Sequence, residues 1–256
     1  MPSPSSWDFA WGELLVVGVV SSAYVFAHRR WPASRARSSC FTASQLLVVA
    51  VFVTPLSALA LHYLVAAHFV QNVAVAEWAP ALAVLGLSPA LAAAIGRIWP
   101  VGALTHPLVA LPLWLATYGV WHVPAIYDAA LRHELLLHLE HATYFLSGVL
   151  LWWPVLHDSP RRIPPGAKAA YLFAAFLFAS PLGLLLALLP TAVYDFYVEA
   201  PRIWGLTPLE DQQIAGLVMA VSEAIVFFAV FAVYFLRFMA EEERATPVPG
   251  SSSRPP

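Results

Sequence analysis

Five of the nine histidines lie at the same end of a set of apolar segments. They are His62, His68, His122, His138 and His141. Histidine is costly near hydrocarbon, so several histidines at one membrane depth indicate a site rather than a solvated surface. Neutral imidazole is also the commonest protein ligand of transition metals. The pattern therefore predicts a metal or haem site near one face of a membrane.

Two of these histidines belong to the segment HELLLHLEH, residues 133–141. A zinc-protease motif needs two residues between its glutamate and its second histidine, but three separate Glu134 from His138. The extra residue turns the imidazole about 100° off the shared face, which argues against a metalloprotease. Glu134, His138 and His141 instead follow i, i+4, i+7 spacing along one helical face. We interpret His138 and His141 as metal ligands, with Glu140 as a carboxylate partner.

Two further segments contribute candidate ligands. His68 and Gln71 share a helical face at i, i+3 spacing. Pro124 disfavours helix at the residue before it, so His122 is predicted to lie at a helix end. His122 is read either as a ligand or as an interfacial side chain, and the same two readings apply to His62.

The last apolar segment begins with Asp211, Gln212 and Gln213 and carries Met219 two turns after Asp211. The thioether of Met219 suits Cu(I), although a lone methionine more often packs than binds. Gly216 permits close approach of another helix. Glu223 lies well inside the segment, where a carboxylate must be protonated or paired. It has either a functional role or a structural hydrogen bond to a neighbouring helix.

The composition indicates an integral membrane protein. Hydrophobic residues make up 60% of the chain and charged residues 11%, against roughly 45–50% and about 25% in soluble domains. The net charge of −2 argues against nucleic-acid binding, which needs a basic surface. A single cysteine, Cys40, excludes an internal disulfide and a CxxC metal carrier. The first apolar run lacks a basic leader, so we expect a retained span rather than a signal peptide.

A window of about 19 residues predicts seven transmembrane helices in an all-α fold. The predicted spans are 12–27, 44–63, 68–90, 104–122, 134–156, 168–190 and 212–237. With the N-terminus outside, eleven of the thirteen Lys and Arg residues fall on the cytoplasmic side. We therefore predict an external N-terminus, a cytoplasmic C-terminus and a histidine cluster at the outer face. Residues 1–240 form one predicted domain, and 241–256 a disordered tail.

Several blocks of sequence together resemble one protein family. HFVQ at 68–71, WHVPAIYDAAL at 121–131, HLEHATYFLSG at 138–148, WWPVL at 152–156 and DQQIAGLVM at 211–219 occur in the expected order. With the intervening spans they resemble the CtaG family of cytochrome c oxidase assembly proteins. The blocks cover about half of the chain and are specific as a set, whereas HFVQ alone would be weak.

The resemblance implies a multi-pass protein of the bacterial plasma membrane that helps to mature a haem-copper oxidase and takes part in copper supply. It implies oxidase subunits and other copper chaperones as partners, and an assembly role rather than an enzymatic one. The family pattern is carried here by His68, Gln71, Trp121, His122, His138, His141, Asp211, Gln212, Gln213 and Met219. The chain departs from the pattern at Asn72, where the family usually has a histidine, and at Ser222–Glu223, where it usually has Pro-Gly.

The leading hypothesis is therefore a copper-handling assembly factor that binds copper, as Cu(I), at the outer face. Its predicted ligands are His68, His122, His138, His141 and Met219. The side chains predicted to hydrogen-bond to these ligands, and so to orient the imidazoles, are Gln71, Glu140, Asp211, Gln212, Gln213 and Glu223. Three alternatives remain open, namely a haem-binding membrane cytochrome, a metal-dependent membrane enzyme, and a proton carrier using Glu223 and the histidines.

Overall fold

The computed structural model describes residues 2–245, and this part of the chain is 81% helical without strands. The all-α prediction is confirmed. The helices are α1 Trp11–Arg30, α2 Arg35–Val53, α3 Pro55–His62, α4 Val65–Val73, a π-helix Ala74–Trp78, α5 Ala79–Gly86, α6 Pro89–Gly96, α7 Trp99–Leu104, α8 Pro107–Trp121, α9 Pro124–Arg132, α10 Glu134–Leu156, α11 Pro165–Leu188, α12 Asp195–Glu199 and α13 Pro208–Ala245.

Five helical segments of the described residues are long and apolar enough to cross a membrane. They are Trp11–Arg30, Arg35–Val53, Val65–Gly86, Pro165–Leu188 and Pro208–Ala245. Helices α8 and α9 add a sixth span if they are counted as one, although they bend by 74° at their junction. The predicted span 134–156 coincides with α10, which is not among these segments. The protein is a membrane protein, and seven spans with an external N-terminus stay a prediction.

Prolines account for the main differences from the predicted boundaries. The predicted span 44–63 is divided between α2 and α3 because Pro55 starts a new helix, with Thr54 accepting a hydrogen bond from the Leu56 amide. Pro124 likewise starts α9 and leaves His122 at the end of α8, as expected.

A π-helix joins α4 to α5. Pro80 has no N–H to donate to the Ala76 carbonyl, so the regular α-helical hydrogen bond cannot form there. At the next residue, Trp152 of α10 donates its indole N–H to the Glu77 carbonyl at 3.0 Å. Such π turns occur frequently at functional sites because they change which residues share a face.

The two long helices α11 and α13 pack with their backbones close together. A Cβ atom added at Gly216 would lie 2.5 Å from the Gly183 carbonyl oxygen and 2.5 Å from the Ala187 nitrogen. The close approach predicted at Gly216 is therefore confirmed. This pair supports a core of large buried aromatic side chains, including Trp114, Trp152 and Phe227.

Helix α13 continues to Ala245, beyond the predicted domain boundary at residue 240. The rest of the predicted tail, residues 246–256, lies outside the described residues.

Candidate metal centre

Helices α4 and α10 bring three potential metal ligands together, and we call these residues the His68 cluster. It consists of His68 from α4 and of Glu140 and His141 from α10, with one ligand atom from each lying within 4.8 Å of the others. All three residues are buried. The two imidazole rings meet edge to face, with their centroids 6.1 Å apart. Of the predicted ligands, the structure thus brings His68 and His141 together. Glu140, predicted to be a partner of the imidazoles, lies in the position of a third candidate ligand.

The His68 cluster concentrates buried polar atoms that have no hydrogen-bond partner among the described residues. They are His68 Nε2, both ring nitrogens of His141 and Glu140 Oε2. Leaving a buried polar atom unpaired costs about 1–3 kcal/mol. Several such atoms converging at one point are the arrangement expected of a site that accepts a ligand.

Two tyrosines set the orientation of the His68 ring. Tyr127 and Tyr197 place their hydroxyls 2.8 and 3.1 Å from His68 Nδ1. Tyr197 also donates its own proton to the Ala60 carbonyl. Both hydroxyls contact Nδ1, which leaves Nε2, without a partner among the described residues, as the ring nitrogen available to a metal ion.

Tyr197 belongs to α12, the short helix in the connection between the membrane-spanning helices α11 and α13. Burial raises the pKa of Tyr197 well above its ordinary value, and the nearby carboxyls of Glu140 and Asp211 add to the effect. The phenol therefore stays protonated at physiological pH and keeps donating to Ala60.

Asn72 holds the third member of the cluster. Its side-chain amide, one turn after His68 on α4, donates to Glu140 Oε1 at 2.9 Å. Glu140 Oε2 is left unpaired and available. The departure from the family pattern at Asn72 therefore has a structural role, because the amide orients the carboxylate instead of providing another imidazole.

Asp211 has a different role from the predicted one. Its two carboxylate oxygens accept the backbone N–H groups of Val65 and Ala66 at 2.9 and 3.0 Å. Asp211 thus caps the N-terminus of α4, where a negative charge also interacts favourably with the helix dipole. It positions His68 through the helix and does not bond to an imidazole.

The glutamine predictions need similar correction. Gln212 accepts from the Val193 amide and donates to the carbonyls of Leu186 and Thr191, so it ties the α11–α12 connection to α13. Gln71 donates to the Val51 carbonyl on α2 at 2.9 Å. Gln213 is partly buried. Gln71 and Gln212 hold the helices together rather than bond to the imidazoles.

His138 lies outside the His68 cluster. Its side chain is 45% exposed, and its Nδ1 lies 2.9 Å from a carboxylate oxygen of Glu13 on α1. Its Nε2 lies 3.6 Å from Glu134. Although His138 and His141 are one turn apart on α10, His138 faces α1 and the surface while His141 faces α4. The prediction that both bind one metal is not supported by this geometry.

His122 and Met219 lie beside a small separate cavity of about 10 Å³. We call it the Glu77 cavity, and its polar or sulfur-bearing lining residues include Asn72, Glu77, His122 and Met219. The carbonyl of Tyr118 lies 2.7 Å from His122 Nδ1. The cavity adjoins the His68 cluster through Asn72 but is not part of it.

Glu223, also a predicted partner of the imidazoles, bonds elsewhere. Its Oε1 atom accepts a hydrogen bond from the Tyr118 hydroxyl of α8. The structural alternative for Glu223, a hydrogen bond to a neighbouring helix, is therefore the one observed.

Comparison with known proteins decides the family. The model of the cytochrome c oxidase caa3 assembly factor family, Caa3_CtaG, matches residues 16–241. The chain belongs to this family. Caa3_CtaG is named for oxidase assembly rather than for a catalysed reaction, in agreement with the predicted non-enzymatic role.

A curated relative of this Caa3_CtaG chain is the uncharacterized protein ML1998 of Mycobacterium leprae. The two are 24% identical over 118 residues, which cover 45% of this chain and 18% of the relative. The match therefore spans less than a fifth of the length of ML1998. No solved structure matches the chain.

Glu77 is the functional candidate that the sequence reasoning missed in this family member. It is fully buried, and neither carboxylate oxygen has a hydrogen-bond partner among the described residues. The signal was present, because Glu77 lies inside the apolar segment Val65–Gly86 just as Glu223 lies inside α13. Only the π-helix, however, reveals which way its side chain is directed.

Proposed function

We propose that the chain assists assembly of a haem-copper cytochrome c oxidase in the bacterial plasma membrane by holding copper at the His68 cluster and passing it on. The family supplies the oxidase as client. The convergence of three buried ligands within 4.8 Å is the observation that carries the copper role. Copper is cargo in this proposal, and the chain performs no bond chemistry.

The donor atoms suit a transition metal. His68 Nε2, one His141 nitrogen and Glu140 Oε2 are unpaired, and imidazole with carboxylate is a common donor set for such ions. Ligands bound at about 2.0–2.2 Å to a tetrahedral ion lie roughly 3.5 Å apart. Small side-chain rotations would close the present separations to that value. The set contains no sulfur, so it supports Cu(II) at least as well as the predicted Cu(I).

Three protein ligands leave a position open on a four-coordinate ion. An open position permits ligand exchange with an acceptor, which a delivery factor requires. The partners of this exchange would be oxidase subunits, or other copper chaperones on the loading side.

The haem alternative has weaker support. A porphyrin between His68 and His141 would have to displace Glu140, which has a carboxylate oxygen within 4.8 Å of a ring nitrogen of each. It would also have to displace Phe52, whose ring centroid is 4.7 Å from that of His141. The geometry therefore favours a bare ion over a macrocycle.

Metal content of the purified protein tests this proposal. Protein in detergent is loaded with copper under anaerobic Cu(I) and aerobic Cu(II) conditions, desalted and analysed by mass spectrometry. The double variant His68→Ala, His141→Ala should lose one equivalent of copper relative to the unmodified chain. The single variant His141→Ala should weaken binding and provides a second measurement if the double variant folds poorly.

His138→Ala is the matched control, because it removes an imidazole from the same helix outside the cluster. It should keep the full copper content. Retention of all copper by the folded double variant, or an equal loss in His138→Ala, would exclude the His68 cluster as the binding site. In cells, the double variant should also lower the copper content of the oxidase.

A further inference from the structure

The Glu77 cavity collects donor atoms that are not satisfied by the protein. Both oxygens of Glu77 and Oδ1 of Asn72 are buried without a hydrogen-bond partner among the described residues. The cavity that these residues line has about the volume that one water molecule or one ion requires. The protein thus encloses an ion-sized space beside unpaired oxygens.

His122 presents a nitrogen lone pair beside this cavity. The Tyr118 carbonyl can only accept a hydrogen bond, so His122 Nδ1 donates to it across 2.7 Å. In the neutral imidazole the free lone pair is then on Nε2. Hydrogen bonding of one ring nitrogen to a backbone carbonyl is the usual arrangement of a metal-binding histidine.

Met219 adds a soft donor. It is 1% exposed and lines the same cavity from α13. A thioether beside an imidazole and a carboxylate matches the preferences of copper, and of Cu(I) in particular. The sulfur that is missing from the His68 cluster is therefore found here.

Charge also favours a cation in this place. Glu77 interacts electrostatically with Glu223, which is buried as well. The ion pairs of the described residues involve neither of these two glutamates. A bound cation would replace a carboxyl proton and supply the positive partner that no Lys or Arg of the described residues provides.

The π-helix explains how Glu77 reaches the cavity. In a regular α-helix, residue i+5 lies about 140° around the axis from residue i. In a π turn the hydrogen bond runs from i to i+5, which brings residue i+5 nearly above residue i. Glu77 lies in the π-helix and Asn72 in the last turn of α4, and both line the cavity.

We propose that the Glu77 cavity is a second copper site, with Glu77, His122 and Met219 as ligands. This second-site proposal rests on the proposed function only for the identity of the ion as copper. Asn72 belongs to both sites, since its amide nitrogen binds Glu140 of the His68 cluster while the residue lines the cavity. Copper held at the His68 cluster thus has an adjacent site to which it can transfer by ligand exchange.

Copper stoichiometry and X-ray absorption of the Cu(I)-loaded full chain test the second site. The unmodified protein should bind two equivalents and show a sulfur scatterer. Glu77→Gln and Met219→Leu, which keep the side-chain volume, should each reduce binding at the second site, and Met219→Leu should remove the sulfur signal. The double variant His68→Ala, His141→Ala should keep one equivalent with the sulfur signal.

Matched controls are available on the same chain. Glu134→Gln changes an exposed glutamate, and Met239→Leu changes a methionine of α13 that is 42% exposed. Both should retain two equivalents and the sulfur signal. Circular dichroism and size-exclusion chromatography verify that each variant is folded.

The outcomes separate the two proposals. If Glu77→Gln and Met219→Leu match the unmodified protein in stoichiometry and spectrum, the second site is overturned. A single equivalent without sulfur, lost only in the His68 and His141 variant, overturns the second site and retains the first. Loss of an equivalent only in the Glu77 and Met219 variants retains the second site and rejects the His68 cluster. Absence of copper from folded unmodified protein rejects both.

Discussion

The chemistry of His68 depends on groups that surround its ring rather than on the ring alone. Tyr127 and Tyr197 place their hydroxyls at Nδ1, and Tyr197 donates its own proton to the Ala60 carbonyl. These contacts leave Nε2 as the ring nitrogen available to a metal ion. Groups that orient a metal-binding imidazole in this way typically contribute about 10- to 100-fold to metal affinity.

Replacement of Tyr197 tests this residue-scale argument. Tyr197→Phe removes one of the two hydroxyls that contact His68 Nδ1, the one anchored to the Ala60 carbonyl, while preserving the ring, so copper affinity should fall about tenfold. The dissociation constant is measured by competition with a chromophoric copper chelator. The copper stoichiometry at saturation should not change.

Tyr171→Phe provides the control for Tyr197→Phe. The Tyr171 hydroxyl also donates to a main-chain carbonyl, that of Leu151, at 3.1 Å. Each variant should lose about 1 kcal/mol of stability from the missing hydrogen bond. Only Tyr197→Phe should change copper affinity, and an equal change in both variants would contradict a specific role for Tyr197.

At the scale of elements, the segment from α4 through the π-helix places His68 and Asn72 toward α10, and Glu77 toward the cavity that Tyr118 and Met219 also line. Asp211 holds the start of that segment through the Val65 and Ala66 amides. Since Asp211 belongs to α13, the position of α13 determines the position of His68. The packing of α13 on α11 therefore helps to position His68.

Gly216→Ala should weaken the α11–α13 packing. The added methyl group would meet backbone atoms of Gly183 and Ala187 at 2.5 Å, and backbone cannot rotate away as a side chain can. We expect a loss of about 1–3 kcal/mol, as for other overpacked sites. Thermal unfolding in detergent, followed by circular dichroism, measures it.

Gly18→Ala on α1 is the matched control for Gly216→Ala. A Cβ atom there has nothing within 4 Å, and alanine is the better helix former by about 1 kcal/mol. This variant should leave the unfolding temperature unchanged or raise it. A Gly216→Ala protein as stable as the Gly18→Ala protein would contradict the close-packing argument.

At the scale of the whole molecule, the predicted topology states which end of the helical bundle faces outward. The arginine distribution predicts that the His138 end of α10 is external and the opposite end cytoplasmic. Helix α10 has 23 residues and is about 34 Å long, so its two ends suit opposite membrane faces.

Labelling of engineered cysteines tests the orientation. In a Cys40→Ser background, His138→Cys should react with a membrane-impermeant maleimide in intact cells. Arg162→Cys, on the exposed segment after α10, should react only after permeabilisation. The reverse pattern would place the His68 cluster near the cytoplasmic face and contradict the predicted topology.

Particular residues show how far the sequence predicted the site. His68 and His141 were expected ligands and do lie together, because both occur on strongly apolar helices where imidazoles need partners. His138 has the same residue type and nearly the same spacing, yet it faces α1. Helical periodicity places residues on a face but does not state which neighbour that face meets.

The sequence by itself determined the membrane class, the helical fold and the family, since these follow from apolar content, local periodicity and ordered motifs. Tertiary structure alone decided that Glu140 lies beside the candidate ligands His68 and His141 and that Asp211 caps α4. It also decided that Glu77, His122 and Met219 line one cavity. These outcomes depend on contacts between residues distant in the chain, and on a π turn that shifts the helical register, neither of which local patterns encode.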